Sequence, residues 1–440
     1  MKHPFKTIPG SVTAPQGFLA SGVFCDIKRL GTGKGSNKGK KRDLGLIVSE
    51  TPASVAGMFT TNQVCAAPVK VCAERIKKGI ARAVVVNSGN ANACTGKKGL
   101  SDAKAMTALL AKSLKLSAAE IFVASTGRIG VTMPMENIAR GIAEASTLLN
   151  HSEENGHHVA EAIMTSDTRP KEVAVEFMMD GKPVRIGGTC KGAGMIQPGM
   201  SPTGARPASV PLHATMLCFV TTDAAVEKKA LDKALLQAVA LSFNRITVDG
   251  DMSTNDTVLV LANGKSGTKT IRNGSALEKF QAALTHVCLE LAKMIVRDGE
   301  GVSRFVTVRV DGARNASDAD AAARAVANSS LVKTSWFGGD PNWGRILDAI
   351  GYSAATVVEE KVDVAYSPSG SKKLLYSLKR GQPTSASFKS LCEVVAQKEF
   401  DLHINLNIGK GSAVIYSCDL TEDYVDFNKG DVTDPSTLGG

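Results

Sequence analysis

The 440-residue sequence is poor in aromatics: Phe, Tyr and Trp make up 5% of it, and only 2 of those residues are tryptophan. No apolar run approaches the roughly 18 residues a bilayer-spanning helix requires, so no membrane span is expected. The nine cysteines (25, 65, 72, 94, 190, 218, 288, 392 and 418) are odd in number, scattered and without a CxxC pair, and the 7 histidines show neither HExxH nor any other ligand spacing. That excludes a disulfide framework and gives no sign of a metal centre; it is the thiol usage of a reducing compartment. Met1 to Phe5 carry no apolar stretch followed by a small-residue cleavage site, so no secretory signal is expected and the chain reads as cytoplasmic. What remains, 43% hydrophobic and 21% charged, is the composition of a globular protein long enough for two or three domains.

The net charge is +10, and residues 28–43 carry most of the excess. Lys28, Arg29, Lys34, Lys38, Lys40, Lys41 and Arg42 stand against Asp43 alone, with glycines at 31, 33, 35 and 39 between them. The expectation is a flexible, solvated loop. It has no interleaved aromatics on which bases could stack and no GxxxxGK followed by Ser or Thr, so neither a nucleic-acid partner nor a nucleotide phosphate is expected there.

β-like and helix-like segments alternate without an internal repeat. Short apolar, β-branched runs predict strands over 82–87, 121–125, 257–262, 305–310, 401–408 and 413–418. The runs 172–179 and 182–187 flank Asp180-Gly181, a two-residue hairpin signal. Helical periodicity covers 102–116, 135–149, 227–243 and 277–296. Such a mixture predicts layered α+β or α/β packing. Residues 197–213 differ: Pro198, Pro202, Pro207 and Pro211, with Gly199 and Gly204, cannot occupy an element interior and read as an exposed connection. It delivers Thr215 at the start of an apolar, β-prone run, 214–223.

Several loci could carry chemistry. Ser125-Thr126-Gly127 at a strand end offers a hydroxyl and an unobstructed N–H, as an oxyanion-stabilising loop needs; a plain turn offers the same. Asn87, Asn90 and Asn92 among small residues read as a tight hydrogen-bonded loop. Lys191 among Gly192 and Gly194 could approach a carboxylate, or snorkel at the surface. Glu300, between Gly299 and Gly301, follows a long helix and reads equally as a solvated turn acid.

In combination these residues resemble the ornithine acetyltransferase family, also called the bifunctional glutamate N-acetyltransferase/amino-acid acetyltransferase of arginine biosynthesis. The resemblance runs through nearly the whole chain: residues 12–18, 87–96, 125–127, 191–198, 214–223, 243–251, 295–301 and 339–346. It implies a layered αββα sandwich with a smaller C-terminal α/β domain, of the self-cleaving threonine N-terminal-nucleophile type. It also implies cleavage between Ala214 and Thr215, giving an α chain of residues 1–214 and a β chain of residues 215–440, assembled as α2β2. Thr215 would be the nucleophile, with its released α-amine (reference pKa about 8) as the adjacent base. Thr126 and Gly127 would form the oxyanion hole, and Thr165, Lys191, Thr215, Glu300, Asn428 and Thr433 would bind substrate. The implied reaction moves an acetyl group from N2-acetyl-ornithine to glutamate through an acetyl-threonine intermediate. No cofactor is called for, and acetyl-CoA is left open as a second acetyl donor. The alternative is a related self-processing N-terminal-nucleophile hydrolase, such as an aminopeptidase, that passes the acyl group to water.

Three departures from the family pattern stand out. The proline-rich residues 201–213 intervene before the cleavage site. Lys429-Gly430-Asp431-Val432 replaces a more apolar stretch between Asn428 and Thr433, with 434–440 extending beyond. The basic glycine loop is an insertion.

Overall fold

In the computed structural model, residues 5–28, 41–203 and 216–429 are described. They divide into two compact units, one holding residues up to 244 and 251–295, the other 245–250 and 296–429.

The first unit is built on one sheet. Its strands are β1 (Lys6–Ile8), β2 (Phe18–Val23), β3 (Leu44–Thr60), β4 (Ile80–Asn90), β5 (Ile121–Arg128), β6 (Lys171–Met179), β7 (Lys182–Lys191), β8 (Met200–Ser201), β9 (Leu217–Thr222) and β10 (Thr257–Ala262). They lie in the order β1-β6-β7-β9-β10-β3-β4-β5, with β2 and β8 also on β3. The pairs β4/β5 and β9/β10 are parallel. Val84, Val85 and Val86 of β4 are fully buried, as a run without alternation requires when both faces are covered. Helices α1 (Ala67–Arg75), α2 (Gly96–Leu114), α3 (Met135–Thr147), α4 (Glu153–Ala162), α5 (Lys228–Ala240) and the long α6 (Gly274–Arg297) supply cover. α1 and α2 pack on β5, α4 on β2, and α5 on β3.

The second unit has a six-stranded sheet. Its strands are β11 (Phe305–Ala313), β12 (Asp363–Pro368), β13 (Leu375–Lys379), β14 (Gln382–Pro383), β15 (Glu399–Asn405) and β16 (Gly411–Cys418), in the order β14-β13-β12-β15-β11-β16. α7 (Ala316–Asn328) packs on β11 and β16, with α8 (Ser330–Phe337) and α9 (Trp343–Gly351) against it; α10 (Phe388–Val395) packs on β12, and α11 (Glu422–Asn428) ends the described chain. Trp336 and Phe400 meet edge-on in its core, 6.2 Å apart. The class is the expected one: mixed α/β with helices layered on sheet, and a smaller α/β unit toward the C-terminus.

The hairpin β6–β7 turns through Asp180 and Gly181, both at positive φ (52° and 75°), the geometry that matches strand twist. Three expectations change. The strand foreseen over 121–125 runs on to Arg128, so Thr126 and Gly127 lie in β5 itself. The 197–213 segment is not exposed at its start: Gln197 and Met200 are buried, because β8 closes the end of β3, pairing Ser201 with Phe59. Residues 204–213 lie outside the described residues, as do 29–40 of the basic loop. The near ends of that loop are anchored rather than solvated, for Asp43 is fully buried and accepts the N–H groups of Cys25, Ile27 and Lys28.

Candidate active site

The sheet brings the ends of five strands together. Lys191, the last residue of β7, stands opposite Leu217, the first of β9. Leu217 in turn stands opposite Thr257, the first of β10, and Thr257 opposite Phe59 near the end of β3. Asn255, two residues before Thr257, is buried and donates through Nδ2 to Ser125 O and to Ala91 O, both at 2.7 Å. That amide ties this edge to β5, the strand that holds Thr126 and Gly127. Of the expected residues, Ala214, Thr215 and Thr433 lie outside the described residues.

At Gly127 the backbone demands glycine. Its φ is +128°, and a Cβ there would sit 2.4 Å from Gly89 C and 2.6 Å from Asn90 N. Gly89 faces it across the β4–β5 pair, so the two backbones touch directly. Thr126 beside it is buried. The three asparagines are structural: Asn87 holds Ser125 and Asn90 O, Asn90 holds Val131 O and Thr132 O, and Asn92 holds Gly99 O.

Lys191 is 2% exposed, so it does not snorkel. Its Nζ donates to Thr165 Oγ1 at 2.6 Å, joining two of the expected substrate residues. Behind them lies Asp167, whose Oδ1 accepts from Lys171 Nζ (2.6 Å) and Gly192 N–H (2.7 Å), and whose Oδ2 accepts Thr165 N–H (3.0 Å). Lys191 Nζ stands 3.9 Å from Oδ2. Burial alone would raise the Asp167 carboxyl, but Lys171, Lys191 and the Gly192 N–H more than offset it and hold it well below the usual carboxylate range. Two buried ammonium groups thus face one carboxylate. Lys28 is half-buried, and burial brings its ammonium down to about 8 against the opposing pull of Asp43 and Asp167.

Asp256 was not singled out by the sequence. It is fully buried; Oδ1 accepts the Met216 N–H, and Oδ2 has no hydrogen-bond partner among the described residues. Burial pushes its carboxyl well above the ordinary range, with the Met216 N–H and Lys191 opposing. Only its position before the buried strand β10 could have hinted at it.

In the second unit, Asn428 at the end of α11 donates to Glu300 Oε2 at 3.0 Å. Thr421 caps α11 by accepting Tyr424 N–H and donates to Gly301 O, which fixes the helix onto the turn that carries Glu300. Among the described residues no cluster of three His, Cys, Asp or Glu could hold a metal, and no helix is long and apolar enough to cross a membrane.

Residues 26–431 match the ArgJ family. The chain belongs to the ArgJ family. It is 44% identical over 423 residues to the arginine biosynthesis bifunctional protein ArgJ of Caldanaerobacter subterraneus subsp. tengcongensis, covering 96% of this chain and 98% of that one. It is 45% identical over 428 residues to the glutamate N-acetyltransferase of Methanocaldococcus jannaschii, covering 96% and 98%. Among solved structures, the arginine biosynthesis bifunctional protein ArgJ of Bacillus halodurans is 42% identical with a TM-score of 0.42, across 45% of this chain and 98% of that one. The ornithine acetyltransferase of Mycobacterium tuberculosis, complexed with ornithine, is 37% identical with a TM-score of 0.40, across 45% and 100%. The resemblance read in the sequence is thus family membership, over nearly the whole of this ArgJ-family chain.

Proposed function

We propose that this protein is a self-processing acetyltransferase of arginine biosynthesis that moves an acetyl group from N2-acetyl-ornithine to glutamate. The observation that carries the reading is the buried Lys191–Thr165 pair, backed by Asp167 and Lys171 and aligned across the sheet with Leu217. Both substrates carry an α-carboxylate, and this is a cation opposite Leu217, which follows Thr215 by two residues in sequence.

Cleavage after Ala214 leaves chains of 214 and 226 residues that stay together as α2β2, and gives Thr215 a free α-amine. In the first half-reaction Thr215 Oγ attacks the acetyl carbonyl while its proton passes to that amine, a general-base contribution of about 10²–10⁴ in rate. The oxyanion of the tetrahedral intermediate is held by Thr126 Oγ and the Gly127 N–H; one such donor contributes about 3 kcal/mol. The C–N bond then breaks, the proton moves to the departing nitrogen, ornithine leaves, and acetyl-threonine remains. In the second half-reaction the glutamate amine attacks that ester and Thr215 recovers its hydroxyl proton. Acetyl-CoA, as donor, would form the same intermediate and release the thiol. Glu300, Asn428 and Thr433 complete substrate binding in this reading, with Glu300 matched to a substrate amine.

The test begins with intact mass under denaturing conditions. We expect two chains of about 22 and 24 kDa, the 46.0 kDa total divided 214:226, with the second starting at Thr215. Thr215→Ala should abolish cleavage and transfer together. Labelled N2-acetyl-ornithine that yields only free acetate with glutamate present would replace the transferase reading with the hydrolase.

A further inference from the structure

Lys28 is held by the fold more firmly than a surface lysine needs to be. Asp43 turns the backbone there: Oδ2 accepts the N–H groups of Ile27 (2.7 Å) and Lys28 (3.1 Å), and Oδ1 that of Cys25 (2.7 Å). The Asp43 carbonyl accepts Ser88 N–H, which docks this turn on the end of β4. The Lys28 backbone is thereby laid on Gly89, where an added Cβ would lie 2.9 Å from Lys28 N and 3.0 Å from Lys28 Cα. Gly89 in turn lies against Gly127. The Lys28 side chain leads toward the C-terminal end of α4. Its Nζ donates to Arg42 O at 2.9 Å, and Arg42 pairs with Glu161 at 2.6 Å. Glu161 O accepts Met164 N–H, with Thr165 next in the chain, and Ser88 Oγ donates to Ala162 O of the same helix end. One half-buried lysine therefore adjoins both the strand ends at Gly89 and Gly127 and the helix end from which the Thr165–Asp167 loop leaves. The charges of Asp167 and Lys191 both act on its ammonium.

We propose that Lys28 is a specificity-determining residue for the acyl acceptor: Lys191 takes the α-carboxylate common to both substrates, and Lys28 takes the second, side-chain carboxylate of an α-amino dicarboxylate such as glutamate. The inference rests on the acetyl-transfer reading for the identity of the two substrates. Those substrates end in opposite charges, an ammonium on ornithine and a carboxylate on glutamate. A cation fixed at every pH would repel the first while it attracted the second. Lys28 is suited to both, because burial brings its ammonium down to about 8, so it is charged beside an anion and gives up its proton at little cost beside another ammonium. Asp43 before β3 and Asp167 after α4 favour the ammonium, while Lys41 and Lys191 on β7 oppose it. Glu161 on α4 is engaged by Arg42.

The test compares binding of L-glutamate and of L-glutamine, its uncharged isostere, to the full-length protein by calorimetry. At neutral pH the wild type should bind glutamate at least about tenfold more tightly than glutamine, the usual worth of one hydrogen bond to a charged group. Lys28→Met keeps the length of the side chain and removes the charge. It should weaken glutamate by about tenfold, leave glutamine within about twofold, and so level the two. Lys28→Arg should restore the preference, which separates lost charge from lost folding. Raising the pH from about 7 to about 9 should erode the wild-type preference by about tenfold, since the ammonium is lost as pH passes about 8; the arginine variant should keep its preference, because a guanidinium stays charged. In the transfer assay, K28M should raise KM for glutamate with KM for N2-acetyl-ornithine within about threefold. An unchanged ratio of glutamate to glutamine affinity in K28M overturns the proposal, as does an equal loss of both ligands. The binding readout does not depend on acetyl transfer. A wild-type protein that prefers glutamate through Lys28, yet never passes acetyl from N2-acetyl-ornithine, would leave the Lys28 assignment standing and overturn the proposed reaction instead.

Discussion

At the scale of single residues the site rests on charges taken out of water. Asp167, Lys171 and Lys191 are all nearly inaccessible, and each charge is stabilised by the others. Asp167→Asn would remove the carboxylate that both buried ammonium groups face, at a cost of about 3–5 kcal/mol. We expect a clearly lower Tm and weaker binding of substrate carboxylate. The pH dependence has a definite sign. A carboxyl held below its unfolded value contributes stability that is fully present above that value, near 3.9, and lost as pH falls through the folded value. The Tm difference between wild type and D167N should therefore stay constant between about pH 5 and 8 and shrink only in strong acid; a difference that fades near neutrality would contradict the assignment. Lys191 came forward through the family resemblance, its glycines alone leaving a surface lysine open. Lys171 and Asp256 were not legible, because a charged residue beside a strand looks the same in sequence whether it faces water or a buried partner.

At the scale of elements, Asn255 couples the segment before β10 to the ends of β4 and β5. Asn255→Ala removes two buried hydrogen bonds and leaves Ala91 O and Ser125 O without that donor. The expected cost is about 1–3 kcal/mol per unsatisfied group, seen in thermal unfolding. Transfer should fall by about tenfold or more as the Thr126–Gly127 end of β5 loosens, on the usual sensitivity of a reacting geometry to small misplacement. A variant with lowered Tm and full activity would show the tie to be structural only. Elements with one strong local signal were legible in the sequence: the Asp180-Gly181 hairpin, the apolar run that became β10, and the periodic helices. β3 was not. Pro52 interrupts it, and the register against β4 shifts between Val48 and Ala53 at that point, so one strand serves different neighbours in its two halves.

At the scale of the whole molecule, the chain does not divide at a single point. Residues 245–250 belong with 296–429, although the intervening 251–295 do not. Thr247 N–H donates to Tyr416 O at 2.9 Å, Thr247 Oγ1 donates to Asn328 Oδ1 at 2.7 Å, and Ile246 pairs with Tyr416 as an isolated bridge. A fragment of residues 296–440 should therefore melt broadly and at lower temperature than one in which 245–250 is joined through a short linker. Equal, cooperative melting of the two would show the strap to be dispensable. The division also differs from the expected covalent one after residue 214, which cuts the first unit's sheet between β8 and β9, so that β9 and β10 on one product pair with β7 and β3 on the other.

The sequence by itself determined the class of fold, the local elements with strong turn or periodicity signals, and the family, because these depend on short stretches of residues read in order. It also named Thr126, Gly127, Thr165, Lys191, Glu300 and Asn428 as candidates. Only the tertiary structure decided which of them meet. Lys191 reaches Thr165 because β7 ends beside the loop that Asp167 folds, and Glu300 meets Asn428 because Thr421 pins α11 to its turn. Asp256 emerged only there, since a buried carboxylate is defined by what surrounds it, and its surroundings come from β3, β7 and β9, far apart in the chain.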